Sequence, residues 1–272
     1  MKNSWNGDLK AGIVLACLIG GMILASLVFL PYDYNEMDSK NRFARPGSSS
    51  PAGFPHLMGT DNFGRDVFSR IMTGGRYTIL TAILTVAGSA AAGSALGMAA
   101  GFWGGFLDEA VMRLMDALSS FPGLLLALVM VALLGNSHLT LIAALLVLFI
   151  PSFTRIMRSG TLQYKHRDFV RIAEIMGASP SRILFCHILP NLFPSLLSAS
   201  VLGFSNAILA ESTMSYLGLG IQPPVPSWGR MLAESQNFIF NAPWCALAPG
   251  IMIMLTVLAF HNLGEGIRRR YC

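Results

Sequence analysis

DFVRIAEIMGASPSRILFCHILPN, residues 168–191, decides the fold because it is a polar, helix-forming loop between long apolar segments. Apolar residues recur in it with the spacing of one helix face, at Phe169, Ile172, Ala173 and Met176. Gly177 predicts the end of that helix, and Ser179 before Pro180 predicts the start of a second one, which Pro190 ends. An amphipathic helix in such a loop lies on lipid, packs against its own protein or fits a partner's groove, and the sequence leaves all three open.

The composition of the chain is that of a membrane protein. Of its 272 residues, 53% are hydrophobic and 12% are charged, whereas a soluble domain carries about 25% charged residues. The net charge of +5 reflects Lys and Arg in the loops and does not indicate nucleic-acid binding. Segments long enough to span a bilayer are predicted at residues 11–30, 79–101, 117–134, 139–153, 192–217 and 245–263. We therefore expect an all-α integral membrane fold with six transmembrane helices.

The spans divide the chain into three parts. Residues 1–30 form a cytoplasmic N-terminus and the first span, residues 31–78 form an external segment, and residues 79–272 form a five-helix core that contains the loop 154–190. An even number of spans places both termini on one side of the membrane. Basic residues in the loop and at the C-terminus favour the cytoplasmic side for both.

The external segment carries a second distinctive stretch, HLMGTDNFGRDVFSR at residues 56–70. A short amphipathic helix at the membrane surface is predicted from the apolar residues Val67, Phe68 and Ile71. Asp61 and Asp66 form either a catalytic carboxylate pair or, as we favour, helix caps and charge partners for Arg65 and Arg70.

Both stretches resemble permease subunits of ATP-binding-cassette (ABC) importers, in the dipeptide/oligopeptide/nickel branch. The residues that this resemblance assigns to coupling with the ATPase are Arg171, Ala173, Glu174, Gly177, Ala178, Ser179, Ile183 and Pro190. The family has Glu at position 171 and Arg at position 174, so the pair is swapped in sign but still close enough to form an ion pair. The external motif is matched by Gly59, Thr60, Asp61, Gly64, Arg65 and Asp66. Residues 217–232 and 262–268 resemble the same branch.

The resemblance implies a type I importer permease in the bacterial inner membrane, with a cytoplasmic coupling-helix loop. Its partners would be a second homologous permease, two ATPase subunits, an external solute-binding protein and the lipid bilayer. The cargo would be a di- or oligopeptide, nickel or a metal chelate. The chain has no G-x-x-x-x-G-K-[ST] sequence, so ATP and Mg are expected on the partner subunits, with no cofactor, metal or catalytic residue on this chain.

Glu211 supports an alternative, because an ionisable residue inside a span is costly and indicates function. An ion-coupled secondary transporter could use it, although a structural or gating role is the stronger expectation. An intramembrane enzyme is disfavoured because no facing pair of catalytic groups is found within the spans. External His56 and His138 are the histidines that could touch a metal-containing cargo.

Two further patterns concern packing. Gly93, Gly97 and Gly101 predict close helix packing, or else a seam along which helices slide. Trp228 is predicted to anchor the chain at the membrane interface.

Overall fold

The computed structural model describes residues 7–49 and 54–271. The predicted cytoplasmic N-terminus therefore lies partly outside the described residues. The described part is helical, and its bounds are as follows: α1 Gly7–Val28, α2 Val67–Trp103, α3 Gly105–Ser119, α4 Gly123–Leu134, α5 His138–Lys165, α6 Asp168–Ile175, α7 Pro180–Arg182, α8 Leu189–Tyr216, α9 Trp228–Ser235 and α10 Trp244–Tyr271. A π-helical turn, Ile183–Ile188, joins α7 to α8.

The described helices confirm the predicted all-α membrane fold. Five helical stretches are long and apolar enough to cross a bilayer: Leu9–Val28, Val67–Trp103, His138–Lys165, Pro180–Tyr216 and Trp244–Arg270. The predicted span 117–134 is instead broken into α3 and α4, which meet at 87°. Counted as one span, this pair gives six. The break follows from Pro122, which cannot continue a helix from the preceding turn.

The predicted surface helix after residue 66 is wrong. Val67 and Ile71 belong to the first turns of α2, which runs without interruption to Trp103. Both side chains are buried in the main hydrophobic core together with Trp228. The external segment covers these turns, so their apolar face meets protein rather than lipid. The predicted boundary between the external segment and the five-helix core, at residues 78 and 79, consequently falls inside α2.

Prolines do not end the helices where the sequence predicts. The fourth span was expected to stop near Pro151, but α5 continues through it to Lys165. Pro190 lies in the first turn of α8, where a proline needs no backbone donor, and the preceding chain enters α8 through the π-helical turn. Packing of α5 against α2 holds α5 helical through Pro151 despite the lost hydrogen bond.

The packing of α2 against α5 confirms the small-residue prediction. A Cβ atom on Gly93 would lie 2.6 Å from Cβ of Phe153, and one on Gly101 would lie 2.9 Å from the carbonyl oxygen of Arg158. A Cβ atom on Gly97 would collide with the carbonyl oxygen of Thr154. The three glycines therefore permit close approach of α2 and α5 along the C-terminal part of α2.

Candidate functional site: the loop between α5 and α8

The loop begins as a compact helix–turn–helix, as predicted. Gly177 has a φ of +78°, in the left-handed region that glycine adopts readily. Its N–H donates to the carbonyl of Glu174 at 2.9 Å, and the N–H of Ala178 donates to the carbonyl of Ala173 at 3.0 Å. This pair of bonds is the Schellman motif that closes a helix. Ser179 then accepts from the N–H of Arg182 at 3.4 Å and caps α7.

One side of α6 is anchored to the membrane helices. Val170 is completely buried and Ala173 nearly so. They pack in a cluster with side chains of α2, α5 and the π-helical turn, namely Met98, Phe102, Met157, Ile183, Leu184 and Ile188. Ile183 is thus a packing residue of the loop. Val170 lies three residues before Ala173 on the same buried side, and the predicted apolar stripe did not include it.

The other side of α6 carries apolar residues that the described chain leaves exposed, except that the ring of Phe169 lies partly against Tyr164. This exposed α6 face consists of Phe169, Ile172, Ile175 and Met176. Ile175 is 86% exposed. Of the apolar stripe predicted from the sequence, only Ala173 is buried in this chain. α6 is thus packed on the chain along one side and apolar on its exposed side.

The predicted pairing of Arg171 with Glu174 is wrong. Both side chains are exposed, and within the described residues they form no ion pair with each other. Exposure removes the driving force, because a surface pair on a helix gains only a few tenths of a kcal/mol. Both charges flank the exposed α6 face and are free to meet a partner's charges.

The external motif forms a rigid corner above the spans. Asp61 accepts from the backbone N–H groups of Phe63 and Arg65 and from Nε of Arg65, at 2.8, 3.0 and 2.6 Å. Gly59 and Gly64 have φ values of +74° and +77°. A Cβ atom on Gly64 would collide with the backbone of Asp38. The motif's glycines thus serve turn geometry and close packing.

Asp66 caps α2, as predicted, by accepting from the N–H of Ser69 at 2.8 Å. Its other oxygen lies 2.9 Å from Nδ1 of the buried His56. The carbonyl oxygen of Thr60 accepts from Nε1 of Trp244 at 3.2 Å and ties the motif to α10. These contacts support the structural interpretation of the two carboxylates, and they place His56 inside the protein rather than at a surface where cargo passes.

The external motif joins α9 through an acid that the sequence did not single out. Arg65 and Arg70 each lie 3.0 Å from Oε2 of Glu234, and Arg230 lies 3.3 Å from Oε1 of the same side chain. Arg65 also pairs with Asp61. The side chains of Arg65 and Arg70 are almost completely buried. Because buried arginines need charge partners, Glu234 holds α9 against α2 and the external segment.

Glu211 sits at a junction of three helices. It is completely buried and accepts from the hydroxyl of Ser215, one turn further along α8, at 2.7 Å. The hydroxyl of Ser212 lies 3.5 Å from its other oxygen, and the side chains of Thr78 on α2 and Ser227, the N-cap of α9, are its further polar neighbours. Within the described residues it has no ion-pair partner. The carboxylate is therefore surrounded by donors from α2, α8 and α9.

Trp228 follows directly after Ser227 and is not an interface anchor. The indole is completely buried, and its Nε1 donates to the carbonyl of Ile71 at 2.9 Å. A Cβ atom on Gly75 would lie 2.8 Å from the indole ring, so the glycine makes room for it. The buried Trp228 side chain thus holds the segment between α8 and α10 against α2.

A family model matches the part of the chain that contains this helix–turn–helix. Residues 93–271 fit the family described as "Binding-protein-dependent transport system inner membrane component". The chain belongs to this family. It is a multi-pass inner-membrane permease of an ABC importer, a transport component rather than an enzyme, and the ATPase is a separate subunit. It works together with other components of such a transporter.

Curated relatives of this permease cover nearly the whole chain. The dipeptide transport system permease protein DppC of Alkalihalophilus pseudofirmus is 38% identical over 95% of this chain and 84% of its own. DppC of Escherichia coli strain K12 is 39% identical over 97% of this chain and 88% of its own. The glutathione transport system permease protein GsiD of Pectobacterium atrosepticum is 35% identical over 98% of this chain and 89% of its own.

Proposed function

We propose that this permease carries short peptides, of dipeptide or glutathione size, into the cytoplasm. The relatives named for dipeptide and glutathione transport support this cargo over nickel or a metal chelate. The buried position of His56 agrees with that preference, because its ring lies against Asp66 inside the protein and is turned away from any metal-containing cargo. Imported peptide would be delivered by an external solute-binding protein.

The observation that carries the mechanism is the exposed α6 face beside a rigid corner. Its four apolar side chains fit the groove of a partner. We propose that the partner is an ATPase subunit, that a second homologous permease completes the path, and that two ATPase subunits serve the pair. ATP and Mg would be bound by the ATPase subunits. Both termini then lie in the cytoplasm, in agreement with the basic residues at the end of α10.

Force applied to α6 would reach the spans through short connections. Two residues separate α5 from α6, and the Schellman motif fixes the angle between α6 and α7. Val170 and Ala173 lock α6 onto α2 and α5. A displacement of α6 by the ATPase therefore moves α5 and α8 with it, which changes the side on which the path between the two permeases opens.

The ion-coupled secondary transporter considered from the sequence depended on Glu211, and the family match disfavours it. The hydroxyl donors around this carboxylate and its complete burial favour a structural role. Reconstitution distinguishes the two. The permease with its ATPase subunits and partner permease in liposomes should take up labelled dipeptide only when the solute-binding protein is present on the cargo side and ATP on the ATPase side. Uptake without ATP that collapses with a protonophore would establish the alternative.

A further inference from the structure

An apolar groove opens on the surface of the helix bundle between α1 and α2. This α1 groove has a volume of about 980 Å³ and is lined by Ile19 and Gly20 of α1, Ile79 and Ile83 of α2, Phe204 of α8 and Phe260 of α10. The rings of Phe204 and Phe260 pack together with their centroids 4.2 Å apart. A concave apolar space of this size accommodates a hydrocarbon chain.

The groove exists because α1 contacts the other helices closely near its two ends. A Cβ atom on Gly12 would lie 2.8 Å from the carbonyl oxygen of Ala259 on α10. Towards the other end, a Cβ atom on Gly75 of α2 would lie 3.0 Å from Cδ1 of Ile23. Between these contacts, a Cβ atom on Gly20 would meet no atom within 4 Å. The middle of α1 therefore leaves an opening beside Gly20.

The length of α1 fixes the depth of this opening. The apolar stretch Leu9–Val28 has 20 residues, so at 1.5 Å per residue it matches the hydrocarbon core of a bilayer, about 30 Å thick. Its two ends therefore mark the two edges of the membrane, and Gly20 lies near the midplane. Ser26, about 9 Å further along α1, lies close to the headgroups.

A cation lies at the level of the headgroups, at the end of the groove. Arg76 is one turn before Ile79 on the same face of α2. It donates from Nε to Oγ of Ser26 at 2.6 Å and from Nη2 to the carbonyl oxygen of Ser26. Its Nη1 has no hydrogen-bond partner among the residues that the structure describes, and it is not one of the enclosed unpaired atoms. Arg76 thus has N–H donors left over beside the groove.

We infer that the α1 groove binds an acyl chain of an anionic phospholipid, whose phosphate accepts hydrogen bonds from Nη1 of Arg76. A guanidinium presents several donors to phosphate oxygens at once. Charge complementarity favours a lipid over a helix of a partner subunit as the occupant. A helix would need an acidic side chain facing Arg76, whereas the phosphate of a phospholipid lies at this level in the bilayer. The bound chain fills the opening beside Gly20 and joins the middle of α1 to α2, α8 and α10.

Lipid photocrosslinking tests the site in the assembled importer. The complex is placed in phosphatidylcholine nanodiscs that contain a phosphatidylglycerol with a diazirine in one acyl chain, and labelled peptides are identified by mass spectrometry. We expect labelling of α1 and α8 at the groove, and about fivefold less when the diazirine is carried by phosphatidylcholine, which has no net charge. Equal labelling by the two lipids would overturn the inference. So would absence of labelling at the groove, which is expected if a helix of a partner permease fills it.

Substitutions with matched controls locate the lipid. Ile83→Trp fills the groove, whereas Leu84→Trp adds the same bulk to a neighbour that is exposed to a similar degree and does not line the groove. Arg76→Gln removes the charge and Arg76→Lys keeps it. Labelling by the phosphatidylglycerol probe should fall about fivefold or more in Ile83→Trp and Arg76→Gln, and stay within about twofold of wild type in the two controls. Thermal unfolding of each complex confirms that it is folded, and the headgroup comparison in the wild type does not depend on any variant. Equal labelling of Ile83→Trp and Leu84→Trp, or of Arg76→Gln and Arg76→Lys, would refute the assignment.

Discussion

Ala178 donates its backbone N–H to the carbonyl of Ala173 at 3.0 Å, and this bond folds the chain back at Gly177. The corner fixes the direction in which α6 leaves the membrane helices and presents its apolar face. The angle also depends on the packing of Val170 and Ala173 against Ile183 and Leu184, which follow α7 directly.

The first prediction concerns the corner itself. Gly177→Pro should abolish ATP-driven uptake and the coupling of ATP hydrolysis to cargo, while membrane insertion stays intact. Proline fixes φ near −65° and removes the N–H that donates to Glu174, so the corner at +78° cannot form. Gly177→Ala keeps the N–H and should show a smaller defect, since the left-handed conformation costs about 1–2 kcal/mol in a non-glycine residue. Uptake and ATPase assays on the reconstituted importer measure both. Normal uptake by Gly177→Pro would remove the loop from the mechanism.

The second prediction concerns the exposed α6 face. Ile175→Asp should weaken binding of the ATPase by about tenfold or more, because burying an isoleucine side chain contributes about 1.5–3 kcal/mol. The permease should keep its thermal stability, since Ile175 contacts solvent in the isolated chain. Val170→Asp is the comparison that should destabilise the permease itself. Surface-immobilised ATPase and purified permease give the affinity, and undiminished binding of Ile175→Asp would contradict the docking assignment.

The third prediction concerns Glu211. Glu211→Ala should lower the thermal stability of the permease by about 1–3 kcal/mol, because it leaves the buried hydroxyl of Ser215 without its acceptor. Glu211→Gln retains the shape and one acceptor oxygen and should be milder. Thermal unfolding of the purified permease measures both. A Glu211→Gln variant that is fully stable but has lost all transport would point to a proton or ion site instead.

The fourth prediction concerns Glu234. Glu234→Gln should destabilise the permease by about 3 kcal/mol, since removing one partner of a buried ion pair leaves Arg65 and Arg70 undercompensated. Glu109→Gln, whose partner Arg113 is solvent-exposed, is a matched control and should change stability by less than about 1 kcal/mol. The two variants would be compared by thermal unfolding in the same detergent. Equal effects of the two would show that the network around Glu234 is dispensable.

Local signals in the sequence predicted the local features of the fold. The helix end at Gly177, the cap at Ser179 and the cap at Asp66 each depend on one residue and its immediate neighbours, and all three are present. The membrane fold was predicted from the apolar content of the chain, which the sequence gives directly. Candidate site residues at these turns were therefore accessible without a structure.

The features that sequence reasoning missed depend on distant contacts. Pro151 interrupts no helix because α5 is held against α2 along its length. Val67 and Ile71 begin a span because the external segment covers them. Glu234 was not visible as a partner because it lies more than 160 residues from the arginines that it holds.

The most direct test of the account is site-specific photocrosslinking from Ile175 in the assembled transporter. A photoreactive amino acid at this position should crosslink to an ATPase subunit, identified by mass spectrometry. The same amino acid at Phe240, which is 97% exposed in the segment between α9 and α10, should not. A crosslink from Ile175 to lipid or to this chain alone, with none to an ATPase, would contradict the claim that the exposed α6 face is where ATP hydrolysis is coupled to transport.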